Sequence, residues 1–247
     1  MPTRINVECY LDKATFPFLI TPDRLEEIFL DTFPSDIVKT LKKEPVKPYT
    51  ITYVDFYFGE KKLITNFSVE ITILNDHLLN YISAFLSLRE ISFPLGDVYI
   101  TKIRTKSIEE EDFKDFLQNV DLPQQLMFEF LTPSILLREG LNYLLPDPAM
   151  VFEDVLKKWN RFSNSEKISI EKEWFIRHLE TTAVFIKTKH VEIPNHPYIS
   201  GFYGKVFVDI HSKSKTYLNQ LHALRRFAEY CHIGKNAHWG FGKVQII

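Results

Sequence analysis

The feature that most constrains the fold is an order of predicted elements that occurs twice along the 247 residues. Alternating apolar positions and helical spacings predict strand, helix, strand, strand, helix, strand in the first half, and the second half repeats this order at a period of about 120 residues. This βαββαβ order is that of the ferredoxin-like (RRM-like) fold. We therefore predict an α+β protein of tandem ferredoxin-like domains, 1–120 and 121–247, with the junction within 117–123.

Two cap-and-proline pairs mark helix starts in equivalent places of the two halves. Thr21 precedes Pro22 and Asp147 precedes Pro148, which are residue types favoured at the N-cap and at the first helical position. We also predict a single strand over 49–58. The acidic segment 107–121 is predicted to be helical, because its carboxylates would lie near the amino end of the helix dipole.

The composition is that of a folded protein, with 45% hydrophobic and 25% charged residues. Charged residues interrupt the amino terminus, and no apolar run approaches the roughly 18 residues that a membrane span needs. We expect a cytoplasmic protein without a signal peptide or a membrane partner. Cys9 and Cys231 are too few for a disulfide framework or a cysteine zinc site, so we expect reduced thiols and no metal or cofactor.

The net charge of −2 hides an asymmetry between the halves. Residues 1–123 hold 14 basic and 20 acidic residues, whereas 124–247 hold 16 basic and 12 acidic residues and seven of the eight histidines. A basic second half favours a polyanionic partner. A merely solvated basic face is the alternative explanation.

The carboxy-terminal segment combines a helix end with a glycine-containing loop. Helical spacing runs over 217–231 and stops at Gly234, and Gly240-Phe241-Gly242 leads into a closing strand. The loop carries Lys235, Asn236, His238 and Lys243 and no acidic residue, so an anion could bind there. A helix stop followed by a bulged edge strand would explain the same glycines.

This segment resembles the glycine-rich loop that ends the CRISPR repeat-processing endoribonucleases of the RAMP superfamily. Further stretches are similar to motifs of that family in the right order: Lys47-Pro48-Tyr49-Thr50, Leu131-Thr132-Pro133-Ser134, Leu145-Pro146-Asp147-Pro148, Trp159-Asn160-Arg161-Phe162, and the run from His196 to Val206. The resemblance covers the whole second domain. In the first domain it rests mainly on the element order.

The resemblance implies metal-independent cleavage of CRISPR precursor RNA, in which a 2′-hydroxyl attacks the adjacent phosphate and leaves 2′,3′-cyclic phosphate and 5′-hydroxyl ends. Many relatives have a catalytic histidine where this chain has Leu41 and Lys42. A lysine cluster therefore replaces it in our first hypothesis, and a carboxy-terminal histidine acts in the second. The catalytic candidates are Lys39, Lys42, Lys47 and His238.

The resemblance and the charge pattern also suggest which residues contact the RNA. The candidates are Lys43, Arg225, Arg226, Gly234, Lys235, Asn236, Gly240, Gly242 and Lys243. The predicted partner is CRISPR repeat RNA, with effector-complex subunits and a homodimer left open. The alternative functions are a repeat-binding RAMP protein or effector subunit that does not cleave, and an unrelated metabolic enzyme of ferredoxin-like fold.

Overall fold

The computed structural model describes residues 2–59, 61–86, 93–95, 97–117 and 123–247. The first half forms a five-stranded antiparallel sheet in the order β2-β3-β1-β5-β4, in which β4 is an added edge strand. Its elements are β1 (Thr3–Thr15), α1 (Pro22–Leu30), α2 (Ser35–Lys43), β2 (Tyr49–Thr52), α3 (Val54–Phe58), β3 (Ile64–Ile73), α4 (Asp76–Leu86), β4 (Phe93–Leu95), β5 (Val98–Glu110) and α5 (Phe113–Phe116).

The second half forms a four-stranded antiparallel sheet in the order β11-β6-β10-β9, together with a small β7–β8 hairpin. Without β4 and the hairpin, both sheets follow the ferredoxin-like strand order, and the predicted fold class is confirmed. The elements are β6 (Gln125–Ser134), β7 (Leu136–Arg138), β8 (Leu141–Tyr143), α6 (Pro148–Phe162), α7 (Lys172–His178), β9 (Leu179–Val191), β10 (Ile199–Ile210), α8 (Lys215–Cys231) and β11 (Val244–Ile246).

Local sequence explains several boundaries, and two expectations were wrong. The Asp147 carboxylate accepts hydrogen bonds from the amides of Ala149 and Met150 at 2.9 and 3.3 Å, as expected for an N-cap. The segment predicted as one strand over 49–58 divides into β2 and α3. Of the acidic residues predicted to start a helix, Glu109 and Glu110 instead end β5 at exposed positions, whereas Asp112 caps the short α5 by accepting the amide hydrogen of Lys114 at 2.9 Å.

Each hydrophobic core contains residues from the other half of the chain. Ile135 and Phe241 belong to the core of the first sheet, whereas Phe113 and Phe116 of α5 pack in the core of the second. The ring of Phe113 lies 5.3 Å from that of Trp159. The two halves are thus joined by shared apolar packing as well as by the chain.

The predicted boundary between residues 120 and 121 lies within 118–122, outside the described residues, and stays a prediction. Within the part of the chain that is described, no helix is long and apolar enough to cross a bilayer.

Glycine substitutions distinguish close packing from backbone conformation alone. Gly242 has φ +67°, and a Cβ there would lie 1.8 Å from the carbonyl oxygen of Ile233. Gly140 has a similar φ of +81° but nothing within 4 Å. We expect Gly140→Ala to lower the free energy of unfolding by about 1–3 kcal/mol, the cost of a left-handed alanine, and Gly242→Ala by at least about 4 kcal/mol. Equal losses in denaturant titrations would contradict the packing role of Gly242.

Candidate nucleic-acid cleft at the domain interface

The turn after α8 is held in a left-handed conformation by contacts with the rest of the second domain. His232 has φ +51° and Gly234 has φ +78°. The amide of Gly234 donates to Asp154 Oδ2 at 2.8 Å, and the next amide, that of Lys235, donates to the carbonyl oxygen of Ile135 at 2.8 Å. A Cβ on Gly234 would lie 2.1 Å from that same carbonyl oxygen, so the close approach requires glycine.

The second glycine pair of the loop is buried, with Gly240 packed against the first domain and Gly242 against Ile233 of the second. Gly240 and Gly242 are buried, and a Cβ on Gly240 would lie 2.9 Å from the Ile51 carbonyl oxygen of β2. The Tyr57 hydroxyl donates to the carbonyl oxygen of Trp239 at 2.6 Å. The backbone of this part of the loop is therefore committed to the domain interface.

Trp239 lies under the loop and is anchored by a carboxylate of the first domain. Its indole Nε1 donates to Glu26 Oε2 at 2.7 Å, and the Tyr49 hydroxyl donates to the other oxygen of Glu26 at 2.5 Å. The indole is also among the partly buried residues that pack against the first core. Glu26 thereby fixes the position of the residue next to His238.

A partly buried charge cluster joins β3 of the first domain to the end of the loop. Lys243 Nζ lies 2.7 Å from Glu70 Oε2, and Arg4 Nε lies 3.7 Å from the same oxygen. His232 Nε2 is 4.0 Å from Glu70 Oε1, which is a Coulombic contact and too long for a hydrogen bond. Burial raises the pKa of Glu70, but His232 and Lys243 outweigh it and lower that pKa to about 2.

A cleft of about 660 Å³ opens beside this interface. It is lined by the segment after α2, by β7, α6 and α7, and by the loop after α8. Its charged residues are Lys47, Arg138, Glu139, Asp147, Glu153, Asp154, Lys157, Lys158, Lys172 and Lys235, together with His238.

The carboxylates of the cleft are largely engaged in bonds within the protein. Asp147 caps α6, Glu153 pairs with Lys157 at 2.8 Å, and Asp154 pairs with Lys158 at 2.8 Å. Six lysine and arginine side chains face four carboxylates there. The surplus of cations makes the cleft suited to an anion.

Lys47 is the one member of the predicted lysine cluster that lines the cleft. Its Nζ donates to three carbonyl oxygens at the carboxyl end of α2, those of Leu41, Lys42 and Glu44, at 2.7, 3.0 and 2.8 Å. The ammonium group therefore caps the helix, where the helix dipole favours a positive charge. Burial lowers the pKa of Lys47, and Glu26 and Glu44 oppose that shift.

The other lysines of the predicted cluster project from α2. The catalytic candidates Lys39 and Lys42 and the RNA-binding candidate Lys43 are exposed and are not among the residues that line the cleft. The structure thus brings Lys47 and His238 together and leaves these three outside. Their assignment stays a prediction.

His238 lies half-buried in the cleft on a short helical turn, with its ring 5.0 Å from that of Trp239. Burial lowers the pKa of His238, Lys47 and Lys158 lower it further, and Glu26 raises it. The net direction is downward, so the neutral imidazole is favoured near pH 7. A neutral imidazole in a cationic cleft can accept a proton.

The remaining RNA-binding candidates divide between the cleft and the domain interface. Lys235 is exposed, and it lines the cleft with Gly234 and Asn236. Arg225 and Arg226 lie on α8, away from the cleft lining, and Arg226 forms a two-pronged ion pair with Glu111 at 2.8 and 2.9 Å. RNA contact by any of them stays a prediction.

Four residues that shape the site were missed by sequence reasoning: Glu26, Glu70, Asp154 and Lys158. Asp154 and Lys158 have the i,i+4 spacing of an ordinary surface pair. The available signal was that Lys158 follows the apolar Val155 by three residues, which places both on one helix face. Among the described residues, no group of three or more His, Cys, Asp or Glu is placed to hold a metal ion.

The capping role of Lys47 leads to a stability prediction. Lys47→Met removes three hydrogen bonds and a positive charge from the end of α2, so we expect the free energy of unfolding to fall by about 1–2 kcal/mol. Lys42→Met, at an exposed position, serves as the control and should change it by less than about 0.5 kcal/mol. Urea titrations measure both, and an unchanged stability for Lys47→Met would rule out the cap.

The buried His232 predicts a pH dependence of stability. Burial lowers its pKa to about 4 from its ordinary value of 6.5. Between these two pH values the unfolded chain binds more protons than the folded chain. The contribution of His232 to the free energy of unfolding is therefore fully present above pH 6.5 and falls as the pH drops towards 4, by up to about 1.4 kcal/mol per pH unit. His222, whose pKa burial also lowers to about 4, acts in the same window.

His232→Asn is the test of that pH dependence, because asparagine keeps a polar side chain at this position without titrating. Urea denaturation between pH 4 and 7 should show a shallower fall for the variant than for the wild type. An identical pH slope would contradict the assignment of His232.

Sequence similarity to known proteins extends over nearly the whole chain. The family model described as CRISPR-associated endoribonuclease Cas6 matches residues 128–244. The CRISPR-associated endoribonuclease Cas6 of Mycobacterium tuberculosis is 22% identical over 255 residues, which cover 98% of this chain and 76% of that protein.

Solved structures share the fold over the full chain. A Cas6 product complex, of a protein from Thermus thermophilus, has a TM-score of 0.79 at 19% identity and covers 100% of both chains. A second Cas6 product complex has a TM-score of 0.78 at 16% identity and covers 99% of each. The family match, the relative and the common fold agree, and the chain is similar over nearly its whole length to the CRISPR-associated endoribonucleases Cas6.

Proposed function

We propose that this protein binds CRISPR repeat RNA and cleaves it in the interdomain cleft. The observation that carries the proposal is that Lys235 and His238 of the terminal loop line one cationic cleft with Lys47 of the first domain. The match of residues 128–244 to the Cas6 family model supports an RNA substrate. A structural neighbour described as a RAMP protein binding different RNA substrates, with a TM-score of 0.57 and 14% identity, supports it as well.

The proposed reaction is an in-line transesterification that uses no metal ion. The ribose 2′-oxygen attacks the adjacent phosphorus and loses its proton, while the bond from phosphorus to the 5′-oxygen breaks and that oxygen gains a proton. The products are a 2′,3′-cyclic phosphate and a 5′-hydroxyl. The protein has to align the strand, stabilise the added phosphoryl charge and move these protons.

His238 is the best-placed group for the first proton transfer. Burial and two neighbouring lysines keep its imidazole neutral near pH 7, so it can act as a base for the 2′-hydroxyl. Lys235 is exposed at the same cleft and can bind the phosphate. The 5′-oxygen then takes its proton from Lys235 or from water in the open cleft.

The lysine-cluster hypothesis is less well supported by the geometry. Lys47 has three backbone carbonyl partners, one for each of its ammonium hydrogens. In this account, Lys47 contributes a fixed positive charge to the cleft, and Lys39, Lys42 and Lys43 act at most on RNA that extends past α2. A repeat-binding protein without cleavage activity remains the second candidate, favoured by the absence of a histidine at Leu41 and Lys42.

Incubation of the purified protein with a synthetic repeat RNA in excess EDTA tests the function. We expect one discrete product with a cyclic phosphate end, and affinity that falls steeply with salt because the cleft reads phosphates. Intact RNA bound with the same salt dependence would support the binding protein instead. Weak binding with little salt dependence would exclude both.

Single substitutions test the assignment of His238 and Lys235. We expect His238→Ala to reduce single-turnover cleavage about 10²–10⁴-fold with a smaller effect on affinity, because it removes proton transfer. Lys235→Ala should weaken binding and cleavage together. The exposed Lys13→Ala is the control and should match the wild type. Equal effects of all three substitutions would contradict the loop assignment.

The pH–rate profile gives an independent test. Because a base must be neutral and the pKa of His238 is lowered, the wild-type rate should rise with pH only below about 6.5 and then level off. The profile of His238→Ala should lack that limb. A rate that keeps rising through pH 8 would indicate a lysine or another group as the base.

A further inference from the structure

Helix α6 carries two i,i+4 ion pairs with opposite surroundings. Glu153 and Lys157 form the outer pair, in which the Lys157 side chain is 69% exposed. Asp154 and Lys158 form the inner pair, in which Nζ and Oδ2 are 2.8 Å apart and Lys158 as a whole is only 5% exposed. Burying an ammonium group is costly unless its partners are specific. The inner pair therefore requires an explanation beyond a surface ion pair.

The inner pair contacts both ends of the left-handed turn after α8. Lys158 Nζ donates to the carbonyl oxygen of His232 at 2.8 Å, and Asp154 Oδ2 accepts the amide hydrogen of Gly234 at 2.8 Å. The partly negative carbonyl oxygen thus faces the ammonium group, and the partly positive amide hydrogen faces the carboxylate. Carbonyls at a helix end lack partners within the helix, and here a side-chain pair from another helix supplies them.

We propose that Asp154 and Lys158 are positioning residues for cleavage, which fix the turn at 232–234 and thereby aim Lys235 and His238 into the cleft without touching RNA. The inference rests on the proposed function for its activity readout. The turn ends only four residues before His238, and the intervening Asn236 also has a left-handed φ of +60°. A rotation at Gly234 would therefore move the whole segment 235–238.

The pair also affects the charge state of His238. The charged groups that act on this imidazole come from three elements: Glu26 of α1, Lys47 after α2 and Lys158 of α6. Burial is the largest cause of the lowered pKa, and Lys158 adds to it. Removing the Lys158 charge should accordingly raise the pKa of His238 and shift the acid limb of cleavage to higher pH.

A purely structural role and a positioning role predict different results for apolar replacement. Replacing a whole buried ion pair by apolar residues of similar size often leaves stability unchanged or raises it, whereas removal of one partner is destabilising. If the pair only stabilises the fold, Asp154→Leu with Lys158→Met will leave cleavage intact. If the pair positions the turn, this double variant will still fold but will cleave RNA poorly, because apolar side chains cannot hold a carbonyl and an amide in place.

The experiment compares the double variant, Lys158→Met alone, and a control with both members of the exposed Arg24–Glu27 pair changed to glutamine. Unfolding titrations, RNA affinity and single-turnover cleavage at saturating RNA are measured for each. For the double variant we expect a single cooperative unfolding transition, affinity within about threefold and cleavage slowed about 10- to 100-fold, as small misplacements typically cause. The control should match the wild type in all three measurements.

A readout without cleavage separates this inference from the proposed function. The pKa of His238, followed by NMR titration of its ring protons, should be higher in Lys158→Met than in the wild type, and the amide of Gly234 should exchange with solvent faster. If the wild-type protein does not cleave RNA but Lys158→Met shows both NMR changes, the proposed function would be overturned and the positioning of the turn supported. An unchanged His238 pKa with unchanged Gly234 exchange, or wild-type cleavage by the double variant, would overturn the inference.

Discussion

The docking of the carboxy-terminal loop against the first sheet is the constraint on which the rest of the structure depends. Gly240 approaches the backbone of β2 so closely that a Cβ would meet Ile51 and Thr52 at 2.9 Å. Around this contact, Glu26 holds Trp239 and Glu70 holds Lys243. Since these bonds join residues more than 170 positions apart in the chain, neither half forms the cleft alone.

This docking decides which parts of the loop are available for chemistry. The Gly240–Gly242 end is buried and bonded to the protein, whereas the Gly234–His238 end lines the cleft. The same burial that fixes Trp239 also keeps the adjacent His238 partly out of water and lowers its pKa. The interface thereby supplies both the geometry of the cleft and a neutral imidazole within it.

The sequence predicted the fold well because the fold depends on local signals. Alternation, helical spacing and the Asp147-Pro148 cap determine the elements, and the repeated order determines the sheets. Residues 49–58 were mispredicted, since an aromatic run satisfies a strand and a short helix alike and packing decides between them. The loop was also identified from its glycines, but the sequence does not reveal that Gly240 and Gly242 face protein backbone.

The electrostatic partners could not be predicted because they depend on contacts between distant segments. Lys47 was predicted to belong to a catalytic lysine cluster, yet its hydrogen bonds to the end of α2 make it a helix cap. Glu70 and His232 are 162 positions apart and meet only once both sheets have formed. Charge counts per half predicted a polyanion partner, but they did not distinguish Lys235 in the cleft from Arg226 at the interface.

The most direct test of this account is a structure of the protein bound to a repeat RNA whose attacking 2′-hydroxyl is replaced by hydrogen, so that cleavage cannot occur. We expect the scissile phosphate inside the cleft, with its oxygens within about 3 Å of the Lys235 ammonium or the His238 ring. A scissile phosphate bound elsewhere, with the cleft free of RNA, would contradict it.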